Sequence, residues 1–263
     1  NKRKQLIIGR ELSRSTNFFV RMPNWLGDVV MAMPILLAIR NGRPDVRFTL
    51  VTKSQFIPLL KKFSLGEDYL ALPERGFRYF FEFRNLLKFK PDNYLLFTNS
   101  IRGDIEALLS GSRQRFGLNL PNRSRPLLTH TFDATQLGQD RFSQIHQTEM
   151  WEQMARYFGL KEQIAKEPLR LPEILRNECK IGLVPGSSNS PGKRWSPDNW
   201  ISLIKELSSL NNSFNFHLYG TEQDKEITNE IFTSLCDVIV FDHAGKTDLS
   251  ELAEELASCG LII

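Results

Sequence analysis

Short apolar runs alternate with amphipathic stretches along most of the chain. Phe18–Met22 (FFVRM) reads as a strand, followed by the turn PNWLGD and a helical run from Val29 to Arg40. Val46–Thr52 is the next strand, SQFIPLLKKF a helix and YLAL a short strand. The 3.6-residue period predicts a helix over FRYFFEFRNLLKF, then YLLFTNS as a buried strand, IRGDIEALLSGS as a helix and RQRFGL as a last strand. An amphipathic helix from Gln144 to Phe158 closes this half. The second half repeats the alternation: KIGLVPG, a helix over Pro197–Leu210, FNFHLYG, a helix over Glu222–Leu235, VIVFD, a helix over Leu249–Ser258, and GLII.

Strands separated by helices imply parallel sheets covered on both faces. The expected fold is therefore α/β, with two Rossmann-like domains facing a cleft. The first covers 1–160, a polar linker with two prolines covers 161–178, and the second covers 179–263. Ligands of such folds sit at the carboxyl ends of the strands. The chain opens on Asn and ends in Leu-Ile-Ile, which reads as a strand cut in mid-course and the second domain as truncated.

Composition narrows this picture. With 41% apolar residues and 11% aromatics, the chain can fill packed cores. Cys179, Cys236 and Cys259 form no CxxC pair and read as buried, reduced thiols of a cytoplasmic protein. The run Val29–Ile39 is too short to cross a bilayer and contains Pro34, so contact with a membrane would be peripheral. Residues 1–170 carry 27 Lys and Arg against 16 Asp and Glu, whereas residues 171–263 carry 7 against 14. The basic half suggests an anionic partner: phosphorylated lipid, membrane surface or nucleic acid. A solvated basic surface with no partner is the plain alternative.

Three loops follow strands directly. In Pro23–Asp28, Gly27 permits a close approach of backbone to ligand, and Asp28 stands where an N-cap or a catalytic carboxylate would stand. VPGSSNSPGKRW resembles a phosphate loop, yet five residues separate Gly186 from Gly192 and Arg194 replaces the hydroxyl of a Walker A motif. Ser187, Ser188, Lys193 and Arg194 before a helix start near Ser196 or Pro197 still suit an anion. In the third loop, Thr221 and Glu222 open a helix, where the carboxylate suits ribose hydroxyls or a helix dipole. Asn99, Ser100 and Arg102 end the YLLFT strand, a place for substrate contacts or a cap. Arg113, Arg115, Arg123 and Arg125 form a basic cluster, to meet phosphate or be solvated. The four histidines lack metal-ligand spacing, and His217 reads as structural. No Asp-x-Asp motif is present to hold a metal.

Taken in order, RMPNWLGDVVMAMPILLAIR, FTNSIRGDIEALLSG, VPGSSNSPGKRWSPDNWISLI, LYGTEQDKEI and HAGKTDLSELAEELASCGLII resemble the ADP-heptose:lipopolysaccharide heptosyltransferases of glycosyltransferase family 9, most closely the heptosyltransferase II branch. The resemblance implies the GT-B architecture, with the first domain meeting a phosphorylated, Kdo-bearing lipid A core at the inner membrane and the second an ADP-heptose donor. It implies Asp28 as general base and Asn24, Asn99, Ser100 and Arg102 on the acceptor side. On the donor side it implies Gly27, Ser187, Ser188, Lys193, Arg194, Thr221 and Glu222, with Thr247 beside the adenine. In the family the GLII strand leads into an Asp-Ser/Thr-Gly…His loop, and the chain ends just before that point. The implied chemistry is inverting transfer without a metal or other cofactor. Two rivals remain at the level of sequence: another GT-B enzyme with a different nucleotide sugar, and a basic nucleic-acid-binding protein. Against the second, the basic residues are not interleaved with aromatics as in an RNA-recognition module.

Overall fold

The structure is a computed structural model that describes residues 17–121, 123–137, 145–165, 169, 171, 174–187 and 191–263. The chain divides into two units, Asn1–Leu169 and Arg170–Ile263, the division falling inside the stretch read as a linker.

The first unit is built on six parallel strands: β1 (Asn17–Arg21), β2 (Arg47–Thr52), β3 (Asp68–Ala71), β4 (Asn93–Leu96), β5 (Gln114–Asn119) and β6 (His130–Asp133). Their order is β3-β2-β1-β4-β5-β6, so the chain reverses direction across the sheet between β1 and β4. A central strand of a parallel sheet is covered on both faces, which explains why FFVRM is apolar on both sides. Successive side chains alternate, so Phe18 and Val20 face one way and Phe19 and Arg21 the other. On the first side Phe18 meets Phe48, ring centroids 5.1 Å apart. Helix α1 (Leu26–Gly42) packs there against the helix Gln147–Tyr157. On the second side Phe19, Val51, Phe83, Tyr94, Leu96 and Ala107 form a buried cluster.

Three departures from the sequence reading have local causes. The stretch 77–89 divides its aromatics between the core and solvent rather than keeping them on one stripe, and only Tyr79–Phe83 is α-helical; Arg84–Phe89 continues as a 3₁₀ turn. Lys90, at a φ of 43°, and Pro91 end it. Strand β6 was not expected, because it is a four-residue edge strand with Phe132 alone buried. The last helix of this unit begins at Gln147, where His146 accepts from the Thr148 amide; Gln144 lies outside the described residues. The other helices of this unit are α2 (Ile57–Lys62), α3 (Tyr79–Phe83), α4 (Ile101–Leu109) and α5 (Gln147–Tyr157).

The second unit has four parallel strands, β7 (Asn177–Leu183), β8 (Asn215–Leu218), β9 (Val240–Asp242) and β10 (Cys259–Ile262), in the order β10-β7-β8-β9. One face is closed by α6 (Pro197–Leu210) and α7 (Lys225–Thr233), which bury Trp200, Ile204 and Ile231 against Ile181, Leu183, Phe216 and Leu218. Ser196 caps α6 and Pro197 occupies its first turn, as the sequence pattern predicts. Helix α8 (Leu249–Ala257) starts on a reciprocal capping box between Asp248 and Glu251. Of the three thiols, all free, Cys259 is buried, whereas Cys179 is half-buried and Cys236 exposed, contrary to expectation. Among the described residues, no helix is long and apolar enough to cross a membrane.

Candidate functional site

All strands of the first sheet run parallel, so the segments after β1, β2, β3 and β4 emerge at the same edge. They line a cavity of about 690 Å³. Four cations face it, Arg21, Lys53, Arg75 and Arg102, against one acid, Glu74. Of the residues expected to meet an acceptor, Asn24, Ser100 and Arg102 line this cavity. Asn24 is held by Arg21, whose Nη2 donates to its Oδ1 at 3.0 Å. Ser100 also caps α4, accepting from the Gly103 amide at 3.0 Å, so it serves both roles foreseen for it. Asn99 is different: its Oδ1 accepts from Arg125 at 3.1 Å, and it is not in the lining.

Arg21, which the sequence reading passed over, organises the pocket floor. Its Nε donates to Glu106 Oε2 at 2.7 Å and its Nη1 to the Met22 carbonyl at 2.5 Å. The second Glu106 oxygen accepts from the Tyr79 hydroxyl. Both members of the ion pair are buried. Burial opposes the Arg21 charge, but Glu106 outweighs it and holds the guanidinium above its ordinary pKa. Burial and the Glu106 charge push the Tyr79 phenol up, so it stays a donor. The Arg102 guanidinium lies 4.8 Å from the Tyr79 ring centroid. Lys53 lies over Trp25 and Phe56, at 5.5 and 5.7 Å. Partial burial first, then the Arg75 and Arg21 charges, lower its pKa. Lys53, Arg75 and Arg102 form no ion pair with any described residue. A charge in the end of an otherwise apolar strand, FFVRM, was the available signal for Arg21.

Asp28 does not cap α1. The helix begins three residues earlier than read, Trp25 is its N-cap, and Asp28 is the third helical residue. Its half-buried carboxylate makes no hydrogen bond or ion pair with the described residues. Gly27 is exposed, and a Cβ added there would meet nothing within 4 Å, so the chain itself does not demand glycine. The expected basic cluster is divided between roles: Arg125 is buried in an ion pair with Asp104 and bonds the Thr98 and Leu118 carbonyls, and Arg115 bonds the Ser112 and Leu127 carbonyls. The Arg125 guanidinium is thereby committed within the unit.

In the second unit the segments after β7, β8 and β9 likewise share one edge and bring together Ser187, Lys193, Arg194, Thr221, Glu222 and Thr247. Ser188 lies outside the described residues. Lys193 ends a short 3₁₀ turn, Pro191–Lys193, and is exposed, with no described partner. Arg194 is already engaged: it donates to the Ser187 carbonyl at 3.2 Å and to Asp224 Oδ1 at 3.3 Å. The Thr221 hydroxyl and amide both donate to Asp224 Oδ2, at 2.7 and 2.9 Å. Asp224, buried at 3% exposure and absent from the sequence reading, therefore ties the segment after β8 to the segment after β7. Glycine is obligatory at Gly186, where a Cβ would lie 2.3 Å from that carboxylate. The T-x-x-D spacing in TEQD, a capping-box pattern, could have revealed Asp224. Glu222 is 72% exposed on its side chain and pairs with Lys225 at 2.7 Å, and Thr247 is half-buried before α8.

The face of this sheet opposite α6 and α7 carries a cluster that spacing alone hid. His217 Nδ1 and His243 Nε2 are 2.9 Å apart with ring planes 2° from parallel, and His217 Nε2 meets Asn215 Oδ1 at 2.9 Å. Glu255 lies close enough for the three to offer ligand atoms within 4.8 Å. Yet Glu255 takes bonds from Lys180 at 2.6 Å and Tyr219 at 2.9 Å, so the set is satisfied as a hydrogen-bonded network. Burial, then Lys180 and His243, push His217 down to about 4. Burial, then Lys180 and Lys246, also lower His243 against the opposing pull of Glu255 and Asp242. Both histidines start near 6.5 in an unfolded chain, so between pH 6.5 and 4 the unfolded chain binds more protons and stability falls as pH falls. The melting temperature should drop steadily over that window, and His217→Gln should flatten the slope. A slope unchanged by the substitution would remove His217 from the titration.

Two parallel α/β units, each gathering its polar loops at the carboxyl edge of its sheet, have the fold of GT-B proteins. Solved structures share the fold: Escherichia coli ADP-heptose LPS heptosyltransferase II, at TM-score 0.72 and 20% identity, covers 94% of this chain with 78% of its own. A glycosyltransferase family 9 protein from Veillonella parvula reaches TM-score 0.75 at 17% identity, covering 96% and 75%. The chain belongs to glycosyltransferase family 9 (heptosyltransferase), whose model matches residues 119–263. Among curated relatives, lipooligosaccharide heptosyltransferase 2 of Campylobacter jejuni is 25% identical over 250 residues, 93% of this chain and 73% of the relative. Lipopolysaccharide heptosyltransferase 2 of Salmonella typhimurium is 22% identical over 267 residues, 92% and 74%.

Proposed function

We propose that the chain transfers heptose, with inversion, from ADP-L-glycero-D-manno-heptose to a phosphorylated, Kdo-bearing lipopolysaccharide inner core, at the cytoplasmic face of the inner membrane. Family membership supports the reaction class, and the relatives named above are heptosyltransferases of lipooligosaccharide or lipopolysaccharide synthesis. The observation that carries the acceptor assignment is the cavity of the first unit, whose Lys53, Arg75 and Arg102 lack anionic partners. Unpaired cations gathered on one cavity suit phosphate and carboxylate groups of a substrate.

Inversion is a single displacement at the anomeric carbon. The acceptor hydroxyl attacks, ADP departs, and the hydroxyl proton passes to the Asp28 carboxylate. A positioned base of this kind contributes roughly 10²–10⁴ in rate. The leaving diphosphate gains negative charge as the bond breaks. Lys193, with its free ammonium beside the β7 loop, stabilises that charge more strongly in the transition state than in the ground state. Asp224 and Arg194 act behind it by holding the segments after β7 and β8 in register. The protein supplies this charge from its own side chains, so transfer proceeds without a metal or another cofactor; the nucleotide sugar is a substrate.

Lys193→Ala should weaken ADP-heptose binding roughly tenfold and lower kcat by about 10²-fold, while activity of the unaltered protein survives EDTA. Steady-state kinetics with titration of ADP by calorimetry read both. Unchanged constants would remove Lys193 from the site, and activity abolished by EDTA and restored by a divalent cation would overturn the metal-free chemistry.

A further inference from the structure

The segment after β3 has two opposite characters, and one of them has no use within the chain. Tyr79 and Phe83, four residues apart, point inward and are buried, and Tyr79 lines the cation-rich cavity. Phe77 and Phe81, also four apart, share the other side and are 95% and 74% exposed. Phe77 lies in the turn just before α3 and Phe81 within it, and both rings stand in solvent. Phe89 follows at the end of the 3₁₀ turn and is again exposed.

Along this stretch stand Arg75, Arg78, Arg84 and Lys88, none ion-paired with a described residue, against the exposed acids Glu74 and Glu82. The Arg78 guanidinium lies 5.5 Å from the Phe77 ring centroid, and the Lys88 ammonium 5.3 Å from that of Phe89. Exposed aromatics among unpaired cations match the two requirements of an anionic lipid surface: apolar area to enter the headgroup–acyl boundary and positive charge to meet phosphate. A protein partner of this stretch would call for acidic groups opposite the cations.

We infer that residues 75–89 dock the protein on an anionic phospholipid bilayer, with Phe77 and Phe81 inserted and Arg84 and Lys88 on headgroup phosphates. Arg75 and Tyr79 belong both to this surface and to the cavity lining, so docking places the cavity mouth beside the membrane. This rests on the acceptor reading above, because an acceptor held in the bilayer by acyl chains can then present its sugar without leaving it.

The test uses the full chain and vesicles of phosphatidylethanolamine with phosphatidylglycerol (3:1), compared with pure phosphatidylcholine, by co-sedimentation. The unaltered protein should bind the anionic vesicles selectively and be released by salt. Phe77→Ser with Phe81→Ser should lose at least about tenfold in binding. Arg84→Glu with Lys88→Glu should lose about fivefold or more for each charge. Both should retain transfer to a deacylated, water-soluble acceptor and lose it to the vesicle-bound form. Vesicle binding unchanged in both variants, equal binding to phosphatidylcholine, or a dimer in sedimentation velocity that the Phe variants dissociate would overturn the proposal. Selective vesicle binding by a protein that transfers nothing to the soluble acceptor would overturn the enzymatic reading and sustain the docking surface.

Discussion

Asp28→Asn is expected to lower kcat by two to four orders of magnitude while leaving the melting temperature and ADP affinity unchanged. Asparagine keeps the shape and the polar contacts of aspartate but cannot take up the acceptor's proton. Stability should not suffer. The carboxylate is neither the cap of α1 nor a partner in any ion pair or hydrogen bond among the described residues. The carboxylate stands in the first turn of the helix that follows the central strand, four residues after the cavity-lining Asn24 and seven after its partner Arg21. Steady-state rates with saturating acceptor, beside calorimetric titration of ADP, separate the chemical step from donor binding. Activity within about tenfold of the unaltered protein would reassign the base.

The legible part of this fold and the illegible part differ in the range of their interactions. Strands such as FFVRM, VRFTLVT and YLLF declare themselves because burial on both faces requires unbroken apolar runs. Helix α6 is legible from its cap, Ser196-Pro197, a purely local device. Strand β6 escaped because an edge strand needs little apolar surface. The helix expected over residues 77–89 shortened because its aromatics divide between the core and solvent. Among site residues, those adjoining strand ends were found by position, including Asn24, Ser100 and Arg102. Arg21 and Asp224 were missed for a different reason: their partners, Glu106 and Arg194, lie 85 and 30 residues away in the chain. Asn99 and Arg125 look like ligand residues in one dimension and prove to hold each other in three.

Glu106→Ala should be the most destabilising single change in the first unit. Glu106 is fully buried and accepts from Arg21 and from Tyr79. Its removal strands a buried guanidinium and a buried phenol, for which breaking a buried pair costs about 3–5 kcal/mol. At about 2–4 °C per kcal/mol for a domain of this size, the melting temperature should fall by roughly 10 °C. The double change Arg21→Met with Glu106→Leu removes both charges at once and should recover most of that loss, since desolvation of the pair offsets much of its attraction. Function should divide from stability in this pair of variants. The double variant lacks the cation on the cavity floor and the anchor of Asn24, so KM for the phosphorylated acceptor should rise while ADP affinity holds. A Glu106→Ala protein as stable as the unaltered chain, or a double variant with an unaltered acceptor KM, would show that the Arg21–Glu106 pair is neither the structural keystone of the cavity nor part of its recognition surface.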